Sequence, residues 1–537
     1  MPDSEHPQAA PAVPPRRESS LAPLRSPVFR MLWFTWLAAN TSMWMNDVAA
    51  AWLMTSLGPS PLWVALVQTA STLPVFVLGL PSGALADTVD RKRYFMITQF
   101  WVATIATILC VVILMDALTA PLLLALTFAN GVGLAMRWPV FAAIIPEVVP
   151  RAHLPQALAL NGVAMNASRI IGPLLAGALI ASAGSVYVFV LNAVLSILAG
   201  ITIMRWRRVH NVSPLGREPL ARAMRVGVQY VWQSGRMRAV MLRVALFFLH
   251  STALMALLPL VARGLPGGNA GTFTLLLASM GAGAIVAALL MPQIRAWLPL
   301  SQRLMVGTAL YALAGTIVAF APNIWVAVPA MLLAGATWIT VANTLSVAAQ
   351  MGLPDWVRAR GMSIFQMALM GSTAAGAALW GQIATSTSVH MSIAIASAAS
   401  VVLMLLAQSR SMDRGTEEDM TPSHVLKVPQ MQPPARPGRI QLRIEYQIDP
   451  ERALEFLALM QESRRSRLRQ GALDWQLLHN LHDPGRYVEQ ITDASWTEHL
   501  RRFDRIVAAD VQLRERRLTF HTGAEPPRVT RYLVEQD

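Results

Sequence analysis

The sequence predicts an all-α membrane protein, twelve transmembrane helices in two six-helix bundles, followed by a small α+β domain. Three observations predict it. Of the 537 residues, 54% are hydrophobic and 14% charged, where a soluble domain carries about 25% charge. Apolar windows of about 20 residues, long enough to cross the hydrocarbon core, recur twelve times before residue 408. Beyond that point the chain turns polar and apolar residues alternate. An ordinary soluble enzyme is therefore excluded as the whole chain. The single cysteine, Cys110, excludes a disulfide framework and any Cys-based zinc or iron–sulfur centre. No cofactor and no metal are expected.

The twelve windows are 31–56, 62–85, 94–115, 119–138, 157–182, 185–204, 240–262, 272–293, 303–321, 323–346, 359–384 and 389–407. The fourth can be cut differently because Pro139, Pro146 and Pro150 follow it, and the tenth because Pro329 interrupts it. Residues 1–30 are Pro-rich and polar, read as a disordered cytoplasmic segment without a cleavable signal pattern. The first bundle then covers 31–204, an inter-bundle segment 205–239, the second bundle 240–408, a linker 409–437 and the soluble domain 438–537.

Basic residues set the orientation. Arg91, Lys92 and Arg93, then Arg151, Arg295, and Arg358 with Arg360, fall in alternate loops, and nine arginines crowd 205–243. The intervening loops hold almost nothing basic, Arg263 excepted. By the positive-inside rule the basic loops and both termini are cytoplasmic. The net charge of +14 is thereby explained by topology, and no nucleic-acid partner is expected. Glycines 162, 172 and 177 of the fifth span recur as 361, 371 and 376 in the eleventh, a constant offset of 199. Parallel repeats of this kind place a substrate site near the midplane, between the halves.

The loop after the second span reads Gly83-Ala84-Leu85-Ala86-Asp87-Thr88-Val89-Asp90-Arg91-Lys92-Arg93. It resembles the G-x-L-a-D-r-x-x-R-[RK] signature of the major facilitator superfamily. The resemblance implies a gating loop that rearranges as the cytoplasmic side opens, with Gly83, Asp87, Asp90, Arg91, Lys92 and Arg93 as its residues. A plain topology-anchoring loop is the competing reading. The fifth span, Asn166-Ala167-Ser168-Arg169-Ile170-Ile171-Gly172-Pro173-Leu174-Leu175-Ala176-Gly177, is similar to the family's exporter motif. Ser168 and Ala176 replace two of its glycines. Arg169, Gly172, Pro173 and Gly177 carry that likeness, which favours export. The family's fourth-helix arginine is missing, since Thr127 stands four residues before Gly131; proton coupling is not implied by that motif.

Polar groups within spans are expensive and default to functional candidates. Asn40, Asn46 and Asp47 lie in the first span, Asn166 and Arg169 in the fifth, His250 in the seventh and Gln366 in the eleventh. Helical spacing puts Asn40 and Asp47 on one face. Asp47 suits a proton or a cationic group, and Arg169, placed in the cytoplasmic half of its span, is its nearest counter-charge. Competing readings are a surface position for Asp47, a snorkelling Arg169, a packed His250, and amides that only join helices.

In the tail, Ile440, Leu442, Ile444, Tyr446 and Ile448 alternate with polar residues as a strand. A helix follows from Pro450 to Leu468, facing inward through Leu454, Leu457 and Met460. Trp475–His479 and Tyr487–Thr492 read as two more strands, and Trp496, Leu500, Phe503 and Val507 as an amphipathic helix. Strand-like material near Arg517–His521 and Arg528–Val534 completes a ferredoxin-like order. The whole chain resembles the transmembrane secretion effector branch, which includes enterobactin-exporter-like proteins. Stretches such as Arg467–Trp475 and Ser495–Leu500 carry that likeness. It implies a multi-pass protein of the bacterial inner membrane that exports a siderophore-, drug- or metabolite-like molecule on the proton gradient as an antiporter. Its partners would be that small molecule, the lipid bilayer and, through the tail, a second copy of the chain. The tail also resembles small cofactor-free monooxygenases. The alternative function is thus a transporter fused to such an enzyme, with His479 or His499 as acid or base.

Overall fold

The computed structural model describes residues 21–58, 60–150, 153–206, 220–409, 419–423, 425 and 431–535, with the backbone alone at some helical positions, Gly83, Asp87 and Asn166 among them. Most of the N-terminal segment 1–30 and much of the linker thus lie outside the described residues. The first half consists of α1 (Pro27–Leu57), α2 (Pro61–Thr88), α3 (Arg91–Leu114), α4 (Ala120–Val148), α5 (Leu154–Ser182) and α6 (Ser185–Arg205). A short helix, α7 (Leu220–Gln233), precedes the second half. That half holds α8 (Gly235–Gly264), α9 (Ala270–Leu289), α10 (Met291–Trp297), α11 (Leu300–Ala319), α12 (Ile324–Met351), α13 (Asp355–Ser386) and α14 (Val389–Ser409). Each expected span corresponds to one long helix, except that 272–293 runs past the end of α9 at Leu289 into the short α10. α4 is the main boundary correction: it continues through Pro139 and Pro146 to Val148, because neighbouring helices make such prolines tolerable in lipid. Pro329 likewise lies inside α12 without ending it.

Eleven of the twelve long helices are apolar enough to cross a membrane by length and composition; α1 is not among them. Asn40, Thr41, Ser42, Asn46 and Asp47 dilute it, yet its 31 residues reach well beyond the ~30 Å of a hydrocarbon core at about 1.5 Å per residue.

The two halves repeat one packing scheme. α1 lies against α5 and α6, α2 against α4, and α3 against α4 and α6. In the second half α8 lies against α13 and α14, α9 against α12, and α11 against α12 and α14. Across the seam α2 meets α13 and α5 meets α9. The glycine echo is of sequence, not of surroundings. Gly172 lets α5 press on α1, where an added β-carbon would lie 2.5 Å from Trp44 Cβ, whereas Gly371 faces Phe76 across the seam. Conversely Gly177 meets Thr274 across the seam, and Gly376 meets the Leu249 carbonyl within its own half.

The tail forms β1 (Arg439–Gln447), α15 (Ala453–Arg469), β2 (Asp474–His479), β3 (Arg486–Asp493), α16 (Trp496–Asp504), α17 (Ala508–Leu518) and β4 (Arg528–Val534). The sheet is antiparallel in the order β2-β3-β1-β4, with Leu442 opposite Ile491 and Tyr446 opposite Tyr487. Ile440, Leu442, Ile444 and Tyr446 are buried as alternation requires. Three expectations are corrected. α15 buries Phe456, Leu459 and Met460 while Leu454 is exposed, because the apolar residues here fit two adjacent helical stripes. The amphipathic helix breaks into α16 and α17. Arg517–His521 closes α17 rather than forming a strand.

The tail is not a free appendage. Pro422 bridges Val507, and the Ser423 amide donates to the Ile506 carbonyl at 3.0 Å, so part of the expected linker is strapped to the domain. Gln229 Nε2 of α7 donates to the Ala472 carbonyl at 2.7 Å. Arg505 lies 5.2 Å from the ring of Trp356 at the start of α13, and Tyr230 packs edge-on to the same ring.

Candidate substrate site between the two halves

The site is built on the middle of α1. Thr41 Oγ1 donates to Ser168 Oγ at 3.2 Å, and Ser168 Oγ donates to the Leu37 carbonyl at 3.2 Å. With Gly172 seated on Trp44, these contacts clamp α5 to α1. They also bring Arg169, one turn before Gly172, beside the Trp44 ring, 5.3 Å from its centroid. From the other half, Trp338 of α12 supplies a second ring at 4.7 Å. Arg169 is therefore midway along α5, on the seam. Its Nε has no hydrogen-bond partner among the described residues.

Asp47 stands one turn beyond Trp44. Among the described residues it makes no hydrogen bond and no ion pair, so Arg169 is not its counter-charge in this conformation. Asn46 is a joint between helices: its Oδ1 accepts from Asn192 Nδ2 of α6 at 3.2 Å. Asn40 is buried and donates to the Trp36 carbonyl at 2.8 Å; it does not share the half-exposed setting of Asp47. Gln366 is half-buried on α13. His250 lies inside the second half, not on the seam. Its Nδ1 faces the Leu246 carbonyl at 2.6 Å, its ring packs beside Trp380, and Tyr311 and Ser400 share its small cavity.

Sequence reasoning passed over Arg137. It is 2% exposed on α4, donates to the Ala39 carbonyl at 3.3 Å and lies over the Trp36 ring. The signal was an arginine next to the expected end of a span; the helix continues, which places it inside. Gly131 is a close-packing position, since an added β-carbon would stand 2.8 Å from the Ser71 carbonyl.

In the expected gating loop, Gly83 and Asp87 lie in the last turns of α2, and their side-chain surroundings fall outside the described residues, as do those of Asn166. Asp90 caps α3, its Oδ1 accepting from the Arg93 amide at 2.9 Å. Arg91, Lys92 and Arg93 then occupy the first turn of α3, where the helix dipole disfavours cations by about 0.3–1 kcal/mol each. The dipole therefore does not account for their placement, whereas the positive-inside pattern expected from the sequence would. At the opposite end the halves are joined. Arg263 donates to the Thr55 carbonyl, Trp52 stacks on Phe273, and the Leu62 amide donates to Thr385 Oγ1 at 3.1 Å.

A family model described as transmembrane secretion effector matches residues 18–537. The chain belongs to that family. This secretion effector is a multi-pass membrane transporter of the major facilitator superfamily. The staphyloferrin A transporter of Staphylococcus aureus is 23% identical to it over 329 residues, 60% of this chain and 81% of the relative. Macrolide efflux protein A of Streptococcus pyogenes is 23% identical over 257 residues, 46% of this chain and 61% of the relative. The crystal structure of a bacterial homolog of the human lysosomal transporter Spinster, inward-facing and unoccupied, aligns with a TM-score of 0.55. That match has 15% identity and covers 72% of this chain and 96% of the other, which shows the shared fold.

The secretion effector's tail encloses several of its polar groups. His499 is 1% exposed; its Nδ1 faces Asp493 Oδ2 at 2.8 Å and its Nε2 faces Arg531 Nε at 3.1 Å. With Nε2 accepting from Arg531, Nδ1 carries the proton and donates to Asp493, so both ring nitrogens are engaged. Burial would raise the Asp493 carboxyl, but Arg502 and His499 hold it below its ordinary value. His479 stacks on Tyr487, and its Nε2 lies 3.0 Å from the Pro484 carbonyl.

Proposed function

We propose that this secretion effector exports a small amphipathic molecule across the bacterial inner membrane by alternating access, as a proton-driven antiporter with both termini in the cytoplasm. One observation carries the reading: Arg169 lies between Trp44 of one half and Trp338 of the other. A side chain so placed is engaged when the halves meet there and released when they part, which is what a central site requires. The relatives' names, a siderophore transporter and a macrolide efflux protein, support export of organic molecules. Asp47, the acidic side chain in the middle of a span, is the candidate proton carrier, and the Gly83–Arg93 loop the cytoplasmic gate. The tail serves regulation or pairing of two copies rather than catalysis: His499 is enclosed with both ring nitrogens engaged, and the exposed His479 is stacked on Tyr487.

The test compares cells with and without the chain for retention of a panel of fluorescent amphipathic compounds. Cells expressing it should accumulate less of at least one compound, and an uncoupler should abolish the difference. Asp87→Asn should cut efflux about tenfold or more, and Asp47→Asn should remove the response to the proton gradient. Equal accumulation across a broad panel, with the protein present in the membrane, would remove the export claim.

A further inference from the structure

The membrane region is poor in acid. Between residues 31 and 408 the acidic residues are Asp47, Asp87, Asp90, Asp116, Glu147, Glu218 and Asp355. Asp87 and Glu147 lie at the last turns of α2 and α4, Asp90 and Asp116 flank α3, and Asp355 begins α13. Glu218 belongs to the inter-bundle segment. Only Asp47 stands in the middle of a long helix, whereas Arg137 and Arg169 lie near the middle of α4 and α5 and Arg243 lies within α8. A cavity built for cations would show the opposite balance.

Arg137 is packed away within the first half. Arg169 is not: it is half-buried on the seam, and its neighbours there are rings. Trp44 and Trp338 stabilise the positive charge through their π faces but supply no lone pair to an N–H. The guanidinium presents five donors in a planar fork suited to a carboxylate or a similar oxyanion, and here Nε has no acceptor among the described residues. Asp47, the nearest acid along α1, makes no ion pair with it. The two indoles offer flat walls from opposite halves, against which an aromatic or other flat apolar body can stack.

We propose that Arg169, between Trp44 and Trp338, is the anchor for the negatively charged group of the transported molecule, so that the substrate class is an amphipathic organic anion. The inference rests on the export reading for its biological meaning, but the site itself is testable by binding alone. The anion pairs with the in-plane N–H groups, and its apolar part lies along the tryptophans. Because one ring belongs to each half, occupancy of this site is linked to how the halves meet.

The experiment uses the full chain purified in an uncharged maltoside detergent. Equilibrium dialysis measures binding of 1-naphthoate, 1-naphthamide and 1-naphthylmethylammonium, three probes that share one ring system and differ in charge. The wild-type protein should hold naphthoate roughly tenfold tighter than naphthamide, as expected for a charge-assisted pair, and should bind the ammonium least. Arg169→Gln should bring the naphthoate-to-naphthamide ratio to about one, and Arg169→Lys should keep part of it. Naphthoate binding that is undetectable, or no tighter than the other two, overturns the proposal on the wild-type protein without recourse to any variant. A ratio that survives Arg169→Gln overturns it as well. Anion preference in a protein that moves nothing in reconstituted vesicles would sink the export reading and leave this site standing.

Discussion

Glu489 shows what a single buried charge does in this protein. Its side chain is fully enclosed on β3, yet Arg467, Arg517, Trp475 and Tyr446 all direct donors at it. Burial alone would raise its carboxyl; the two guanidinium groups and these hydrogen bonds outweigh burial and lower it from an ordinary 4.5 to about 2. A depressed carboxyl stabilises the fold fully above its ordinary value and loses that contribution as pH falls toward the depressed one. The tail should therefore lose stability between about pH 4.5 and pH 2, by roughly 3 kcal/mol at about 1.4 kcal/mol per unit. Glu489→Gln should cost about 3–5 kcal/mol at neutral pH, because it strands two buried guanidinium groups. Hydrogen exchange at β1 and β3 amides in the full chain measures both effects. Unchanged protection in the variant would show that the cluster is not what holds the tail together. Nothing in the sequence around Glu489 marked it, since its partners come from α15, β1, β2 and α17, and only the folded sheet brings them together. Arg169 was legible for the opposite reason: an arginine in the middle of an apolar window has few structural uses. That Trp338 of the other half would meet it was not, because long-range pairing leaves no local pattern.

At the scale of elements, the apolar windows recovered every membrane helix, and the positions of basic residues separated loops from spans. Hydropathy reads one segment at a time and so ended α4 at its prolines, ten residues early, which hid Arg137. It also undervalues α1, whose polar residues are tolerated because Asn46, Ser168 and Asn192 hydrogen-bond across helices rather than to lipid. Close packing is a second element-scale property that composition only hints at. α9 and α12 approach through reciprocal glycines, with Gly335 against the Met280 carbonyl and Gly283 against the Leu332 carbonyl. Without a hydrophobic force between helices in lipid, such contacts supply much of the association. A side chain at either position has backbone in its way and no flexible neighbour to displace. Gly335→Val should therefore push the helices apart, costing at least the ~1–3 kcal/mol typical of overpacking. The melting temperature of the detergent-purified protein should fall by several degrees, and Gly162→Val, at a position with nothing within 4 Å, should leave it nearly unchanged. Equal melting temperatures for Gly335→Val and the wild type would mean that α9 and α12 are not held at this distance.

For the whole molecule the question is which contacts between halves must break during transport. Toward the end away from the tail, the polar and aromatic contacts among the described residues include Arg263 to the Thr55 carbonyl, Trp52 on Phe273, the Leu62 amide to Thr385 Oγ1, and Thr69 Oγ1 to the Ala374 carbonyl at 2.9 Å. None is an ion pair, so the latch is weak enough to open repeatedly, each hydrogen bond contributing on the order of 1 kcal/mol net. If the halves rock about the Arg169 seam, α2 and α13 separate at this end in each cycle. Joining Leu62→Cys to Thr385→Cys by oxidation should then arrest efflux, and reduction should restore it. The background is favourable, because Cys110 is the only native cysteine and is buried. The unlinked double variant should export normally, since a backbone amide and one hydroxyl are all that the native contact uses. Export that continued at full rate with the disulfide formed would show that this end never opens, and alternating access between these two bundles would have to be abandoned.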